Sequence, residues 1–368
     1  HTICRPWTSP TEERPLFDTP TRREFLMTAS MAALAGRAAG GQTRPNSTFS
    51  FQRIETNGVT LRCAVEGSGP LVIMVHGFPE LWYSWRHQIR PVAEAGFRVV
   101  APDVRGYGAS DKPRPVAAYD MTALTGDVVG LIDALDEERA ILVGHDWGAP
   151  ICWNTAALHP DRVAAVAGLS VPYFQRGPVP SLEQWRALHG NGFFYQLYFE
   201  EEGVAEAAFE ADVRTALRKL YYTISGDGAD APLHSLSAPE PMDDVLGTMV
   251  DPDPFPSWMT DVDLDYYTAA FEQGGFRGPL NRYRAQGRDW ELLPQLSQLE
   301  VTQPSTFIAG SLDPVRTFVP GVDLYAAAGA SCTDFHGSTI IDGKGHWIQQ
   351  EAPAEVNRAL LAFLGSLG

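Results

Sequence analysis

The sequence predicts an α/β fold: a mostly parallel sheet covered by helices on both faces, with an all-helical cap inserted into it. Three observations predict it. Short apolar runs alternate with helix-like segments through the first half of the chain and again near its end. A Gly-x-Asp-x-Gly turn stands where one of those runs passes into a helix. Between about Val171 and Leu299 the alternation gives way to aromatic, helix-like sequence.

Taken in order, Phe51–Thr56 and Val59–Val65 flank Asn57-Gly58, a dipeptide that suits a tight hairpin because both central residues need positive φ. Leu71–Val75 is an unbroken apolar run, as a strand buried on both faces requires. A helix is expected from just after His76-Gly77-Phe78-Pro79-Glu80 to about Ala95, then a buried strand over Phe97–Pro102. Met121–Leu135 has helical periodicity, with acidic residues toward its C-terminal end. Ala140–Val143 reads as a strand that runs into Gly144-His145-Asp146-Trp147-Gly148, followed by a helix and a strand over Val163–Leu169. The cap is expected over residues 172–299, with loop sequence such as Asp251-Pro252-Asp253-Pro254, which leaves residues 46–171 and 300–368 for the α/β core. Strands resume at Ser305–Ala309 and near Thr339–Ile341, and a last helix covers Pro353–Leu364. There is no internal repeat.

Composition narrows the partners. Lys and Arg total 28 against 45 Asp and Glu, a formal charge of −17. Phosphate backbones and anionic membranes both call for a basic face, so this charge argues against nucleic acid and against an anionic membrane surface as partners. No apolar run reaches the roughly 18 residues of a membrane-spanning helix. Cys4, Cys63, Cys152 and Cys332 lack CxxC spacing, which speaks against a zinc ribbon or a redox pair, and Cys152 is expected to pack in a helix as a small apolar residue.

Residues 1–45 differ from the rest. Thr21-Arg22-Arg23-Glu24-Phe25-Leu26 precedes an Ala-rich stretch to about Ala39 and resembles a twin-arginine export signal, with Ala33-Leu34-Ala35 as a cleavage site. Met27 stands where such signals often carry Lys, and Arg37 interrupts the apolar part. The expectation is export, with a cytoplasmic protein as the alternative.

Gly144-x-Asp146-x-Gly148 has the form of a nucleophile elbow. A strand that turns sharply into a helix needs small residues on both sides, and the central side chain is then held out above the sheet near the helix N-terminus. In the lipase form that residue is Ser. A carboxylate attacks carbon directly and needs no base to deprotonate it, but the ester it forms must afterwards be hydrolysed. A base for that water is His346, in Gly345-His346-Trp347 after the last strand. Asp313, in Gly310-Ser311-Leu312-Asp313-Pro314, would orient it, with Asp334 and Asp342 as other acids near strand ends. Nucleophile, acid and histidine follow in the chain order of the α/β-hydrolase fold, which this arrangement resembles. In that fold the loop after the third strand supplies one oxyanion-hole amide and the residue after the nucleophile the other, here Phe78 and Trp147. Phe78–Pro79 is a candidate cis peptide.

Taken together, His76-Gly77-Phe78-Pro79-Glu80, Arg105-Gly106-Tyr107-Gly108-x-Ser110 and Gly144-His145-Asp146-Trp147-Gly148 resemble the soluble epoxide hydrolases. Phe194-Tyr195-Gln196-Leu197-Tyr198-Phe199 and Phe276-Arg277-Gly278-Pro279-Leu280-Asn281-x-Tyr283-Arg284 resemble that family's two lid segments. The resemblance runs from about Phe51 to the C-terminus. It implies that Tyr195 and Tyr283 each hold the epoxide oxygen through a hydroxyl. The chemistry agrees, because ring opening builds negative charge on oxygen and an ordinary phenol is a neutral donor at pH 7. Composition alone would leave both tyrosines, and Tyr198 three residues on from the first, as cap core. Tyr198 is the fallback donor.

The reading is therefore an epoxide hydrolase that takes a small epoxide and water, with no metal and no organic cofactor. A monomer and a dimer are both open. Two alternatives stand beside it. A haloalkane or haloacid dehalogenase would share the fold, the Asp and the base, and Trp147 could serve as a halide donor; one group of those enzymes carries Asn where this chain has Phe78. A non-catalytic ligand receptor on the same fold could keep the triad intact.

Overall fold

The computed structural model of the protein describes residues 49–367. The leader read over residues 1–45 lies outside them. Among the described residues eight strands form one sheet: β1 Ser50–Thr56, β2 Val59–Gly67, β3 Leu71–Val75, β4 Arg98–Pro102, β5 Ala140–His145, β6 Val163–Leu169, β9 Ser305–Gly310 and β10 Phe335–Ile341. Their order across the sheet is β1-β2-β4-β3-β5-β6-β9-β10. The β1–β2 and β2–β4 pairs are antiparallel and the rest are parallel. Every residue of β3, β5 and β9 is buried, as for central strands covered by helices on both faces.

The strand order reverses between β3 and β5, and their register sets Val75 beside Gly144. Loops leaving the C-terminal ends of these strands open a crevice where the fold can present a side chain without burying it. Opposite Gly310, at the end of β9, lies Ile341, at the end of β10. The loops that carry Phe78, Asp146, Asp313 and His346 therefore all leave the C-terminal ends of the parallel strands, on one side of the sheet.

Two local expectations change. The helix expected up to Ala95 is a 3₁₀ turn, Trp82–Trp85, and a separate short helix, Ile89–Glu94. Pro91 is the reason. In an unbroken helix its ring would meet the carbonyl of His87, whereas in the first turn of a new helix it is tolerated. The last strand begins four residues earlier than Thr339, at Phe335. It lies at the sheet edge and is mostly exposed, so it lacks the apolar run that marks a buried strand.

Between β6 and β9 the chain is helical, with Ser181–His189, Val213–Thr223, Asp261–Gly274 and Arg277–Arg284 among its helices. It also holds a pair of two-residue strands, β7 Phe193–Phe194 and β8 Ser237–Ala238, antiparallel to each other. Cys152 is buried in the helix Gly148–Leu158, and Phe78–Pro79 is cis. Among the described residues no helix is long and apolar enough to cross a membrane.

Candidate active site

Asp146 sits between β5 and the helix Gly148–Leu158 with φ of 49°. A Cβ on Gly144 would lie 2.2 Å from the Gly148 carbonyl oxygen, and one on Gly148 would lie 2.0 Å from that of Val75. Neither contact is possible, so the turn accepts glycine at both places. The carboxylate that results is ringed by the predicted partners. The Phe78 amide donates to its Oδ1 at 2.7 Å, and Nε2 of His346 lies 3.4 Å from its Oδ2. Trp147 follows as the N-cap of that helix with helical φ and ψ, so its backbone N–H is among those at the helix N-terminus that make no intrahelical bond.

Nδ1 of His346 donates to Asp313, 3.0 Å from each carboxylate oxygen. The Val315 amide also donates to Asp313, at 3.0 Å. Burial works against the charge on Asp313, but the His346 charge and hydrogen bond, with the Val315 amide, hold its carboxyl below the ordinary value. Burial likewise opposes a charged His346. The carboxylates of Asp313 and Asp146 outweigh it, and the imidazole is held well above its usual range. Asp313 is thus the acid that meets the histidine. Asp342 instead accepts from the Ser311 hydroxyl, and Asp334 pairs with His336.

The tyrosines reach the same place from the insert. The β7–β8 pairing continues into a bond from the Tyr195 amide to the Leu236 carbonyl, which fixes Tyr195 at the start of its helical turn. Tyr283 lies on Arg277–Arg284 and is buried. Their rings meet edge to face with centroids 5.9 Å apart, and both line one cavity with Asp146, Phe78 and His346. Burial first, and then the Asp146 charge, push both phenols up, so each stays a neutral donor. Gln196 Nε2 donates to the Tyr195 hydroxyl at 2.9 Å, which leaves the Tyr195 O–H proton for a further acceptor, and the Trp147 ring packs edge to face on Tyr283 with centroids 5.3 Å apart. Tyr198 packs against Phe193 and Phe199.

Three groups that sequence reasoning left unassigned hold this arrangement from behind. Glu80 is fully buried and accepts from the Gly77 amide, from Gln349 and Gln350, and from His145 at 2.7 Å. Burial alone would raise it, but the His145 charge and hydrogen bond hold it below the ordinary value. Nε2 of His145 donates to the carbonyl of His346 at 2.7 Å, and the Ser170 hydroxyl donates to the same oxygen at 2.8 Å. Glu351 accepts from the amides on either side of the histidine, Gly345 and Trp347, and from that of Gly226. Glu80 and His145 stood inside motifs that were read for their neighbours. Nothing in the spacing of Glu351 marked it. Among the described residues no group of three or more His, Cys, Asp or Glu is placed to hold a metal ion.

Comparison with known proteins agrees with this chemistry. Residues 70–353 match the family model described as the alpha/beta hydrolase fold. The chain is 45% identical over 316 residues to epoxide hydrolase A of Mycobacterium tuberculosis, covering 85% of this chain and 97% of that protein. Among solved structures it is similar to epoxide hydrolase A from Mycobacterium thermoresistibile, with a TM-score of 0.80 and 44% identity over 86% of this chain and 98% of that one. It is also similar to an epoxide hydrolase from an endophytic Streptomyces, with a TM-score of 0.83 and 42% identity over 87% and 96% of the two chains.

Proposed function

The chain belongs to the epoxide hydrolases of the α/β-hydrolase fold, and we propose that it converts an epoxide to a vicinal diol through a covalent ester on Asp146. One carboxylate oxygen of Asp146 attacks an epoxide carbon, and the C–O bond of the ring breaks. The oxygen that leaves carbon takes up negative charge and is met by the Tyr195 and Tyr283 hydroxyls. One of the two hydroxyls passes it a proton, which makes the first hydroxyl group, and the proton that Asp146 gives up when its ester is hydrolysed restores that tyrosine. The second step is hydrolysis. His346 takes a proton from water, and the hydroxide attacks the ester carbonyl carbon. The Phe78 and Trp147 amides hold the tetrahedral oxyanion, and the second hydroxyl group departs with an oxygen that began on Asp146.

The observation that carries the reading is the double contact of Asp146. The Phe78 amide at 2.7 Å already marks where an oxyanion on that carboxyl would be held, and His346 at 3.4 Å leaves its carbonyl carbon open to water that the base activates. The Tyr195 and Tyr283 pair beside Asp146 supports epoxide over halide as the leaving group, because two neutral hydroxyl donors suit an oxygen that gains charge. The test is to incubate the purified protein with styrene oxide and with a panel of chloroalkanes and bromoalkanes, following diol and free halide. Diol is the expected product. Halide release above diol formation would reverse the assignment, and binding without either product would make the protein a receptor.

We further propose that residues 1–45 direct export. Arg22-Arg23 before Phe25-Leu26 and the Ala-rich stretch support it. Replacing both arginines with lysine is expected to retain the protein in the cytoplasm of a host that has the twin-arginine pathway, and unchanged export would refute the proposal.

A further inference from the structure

The base and its acid stand on loops that leave different strands. Asp313 follows β9 and His346 follows β10. One residue past the end of β6, Ser170, is bonded toward both. Its amide donates to the Ile308 carbonyl at 3.0 Å, which carries the β6–β9 pairing beyond Leu169. Its hydroxyl donates to the His346 carbonyl at 2.8 Å. Its own carbonyl accepts from the Tyr325 hydroxyl at 2.7 Å. Tyr325 is buried in the 3₁₀ turn Leu324–Ala327, on the segment that follows Asp313. Burial first, and then the Asp313 charge, push its phenol well up, so it stays a neutral donor.

Ser170 keeps this place in a strained conformation. Its φ is 64°, and the Val171 amide donates to the Leu169 carbonyl at 2.8 Å, which closes a γ-turn around it. With φ positive that turn is the rare form, and a residue that carries a Cβ seldom adopts it. Glycine would relieve the strain. Ser170 is fully buried, and what its side chain adds over glycine is one hydroxyl, placed on the His346 carbonyl. Strain of this kind persists where the surroundings fix it, and it gathers at functional sites. The carbonyl that receives the hydroxyl has two lone pairs, and both are taken, the second by Nε2 of His145 at 2.7 Å. The His346 amide donates to the Ile224 carbonyl at 2.9 Å. With both backbone groups of His346 bonded, its ring is held between Asp313 and Asp146.

We propose that Ser170 is a positioning residue for ester hydrolysis. Its hydroxyl sets the loop of the base, and its carbonyl, through Tyr325, sets the segment beyond the acid. The imidazole is thereby kept in line with Asp313 on one side and with the ester on the other. Ser170 acts through His346, which ring opening does not need, so its loss is felt in the second step. The role rests on the epoxide hydrolase reading, and the two fail differently. Unaltered protein that forms neither ester nor diol from styrene oxide removes that reading, whereas normal ester hydrolysis in a Ser170 variant removes only the role of Ser170.

The experiment compares Ser170→Ala, Ser170→Gly and Tyr325→Phe with the unaltered protein in single turnovers of styrene oxide. Tryptophan fluorescence after rapid mixing follows ester formation and ester hydrolysis, and urea unfolding gives the midpoint of each variant. Ester hydrolysis is expected to slow roughly tenfold in both Ser170 variants, the effect of one buried hydrogen bond, with ester formation little changed. Ser170→Gly releases the strain that Ser170→Ala keeps. It should therefore unfold at the higher urea concentration of the two and yet hydrolyse the ester no faster. A purely structural serine would make rate follow stability. Tyr325→Phe leaves the Ser170 carbonyl without its donor and should slow the same step. Each rate is first order in bound ester, so a lower folded fraction does not change it. Unaltered ester hydrolysis in Ser170→Gly or in Tyr325→Phe, or equal slowing of both steps in any of the three, would overturn the proposal.

Discussion

Nε2 of His346 lies 3.4 Å from Oδ2 of Asp146, while Oδ1 of the same carboxylate takes the Phe78 amide at 2.7 Å. A nucleophile that is already an anion gains nothing from a base. The contact instead couples the two steps through charge. While Asp146 is ionised, it and Asp313 together hold the imidazole well above its usual range. Esterification removes the Asp146 charge and leaves Asp313 alone, so His346 becomes easier to deprotonate when a base is first needed.

Removing the base is therefore expected to spare ring opening and block ester hydrolysis. In His346→Gln one substrate equivalent should accumulate on the protein, visible in the intact mass and mapped to the peptide containing Asp146. Ester hydrolysis should fall on the order of 10²- to 10⁴-fold. In ¹⁸O water, a single turnover of the unaltered enzyme should leave the label in Asp146 and not in the diol. An unlabelled Asp146 with a labelled diol would mean direct hydration.

The same pairing should appear as a pH-dependent stability. His346 has a folded pKa above its unfolded value of about 6.5, so its contribution is fully present below that pH and is lost as pH rises through the folded pKa. Asp146→Asn removes one of the two anions responsible. The difference in melting temperature between unaltered protein and Asp146→Asn should therefore favour the unaltered protein most just below the unfolded value of about 6.5 and shrink as pH rises toward the alkaline range. A difference that grows with pH would contradict the coupling.

Tyr195→Phe and Tyr283→Phe are each expected to slow formation of the ester, on the order of 10²-fold for loss of one charge-stabilising donor in a closed site. The double change should nearly abolish it. Breakdown of a preformed ester should be far less affected, because the hydroxyls meet the epoxide oxygen and not the ester carbonyl. Rapid-mixing measurements of tryptophan fluorescence separate the two phases. Full activity in the double variant would move the role to other residues, Tyr198 first.

Glu351→Gln tests the support of the base. Burial pushes this carboxyl up while the amides of Gly345, Gly226 and Trp347 pull it back. An amide side chain can satisfy some of those donors but sets its own N–H₂ against the others. The variant should lose about 2 kcal/mol of stability in urea unfolding. It should also slow ester hydrolysis more than ester formation, since the loop it pins carries His346 and not Asp146. Equal slowing of both steps would mark Glu351 as a purely structural residue.

Some of this site was legible along the chain because its cause is local. An elbow of strand, small residue, Asp, small residue and helix is a short-range steric device, and Gly144-His145-Asp146-Trp147-Gly148 displays it whole. His346 and Asp313 were legible by position, since each follows a strand and their order matches the fold. Tyr195 and Tyr283 could be singled out only because their flanks resemble known lids; helical periodicity by itself reports that a residue is buried, not what it faces.

What the tertiary structure alone decided is which distant groups meet. Glu80 and His145 are 65 residues apart, and His145 meets the His346 carbonyl across 201 residues. Gly226, in the insert, reaches Glu351 across 125. No periodicity records such contacts, because each depends on how whole elements dock. The two-residue strands β7 and β8 were invisible for the same reason: a run that short has no pattern, and its pairing exists only once the insert has folded against itself. The cavity that gathers Asp146, Tyr195 and Tyr283 belongs to the same class. Local sterics determined where the nucleophile stands, and long-range packing determined what surrounds it.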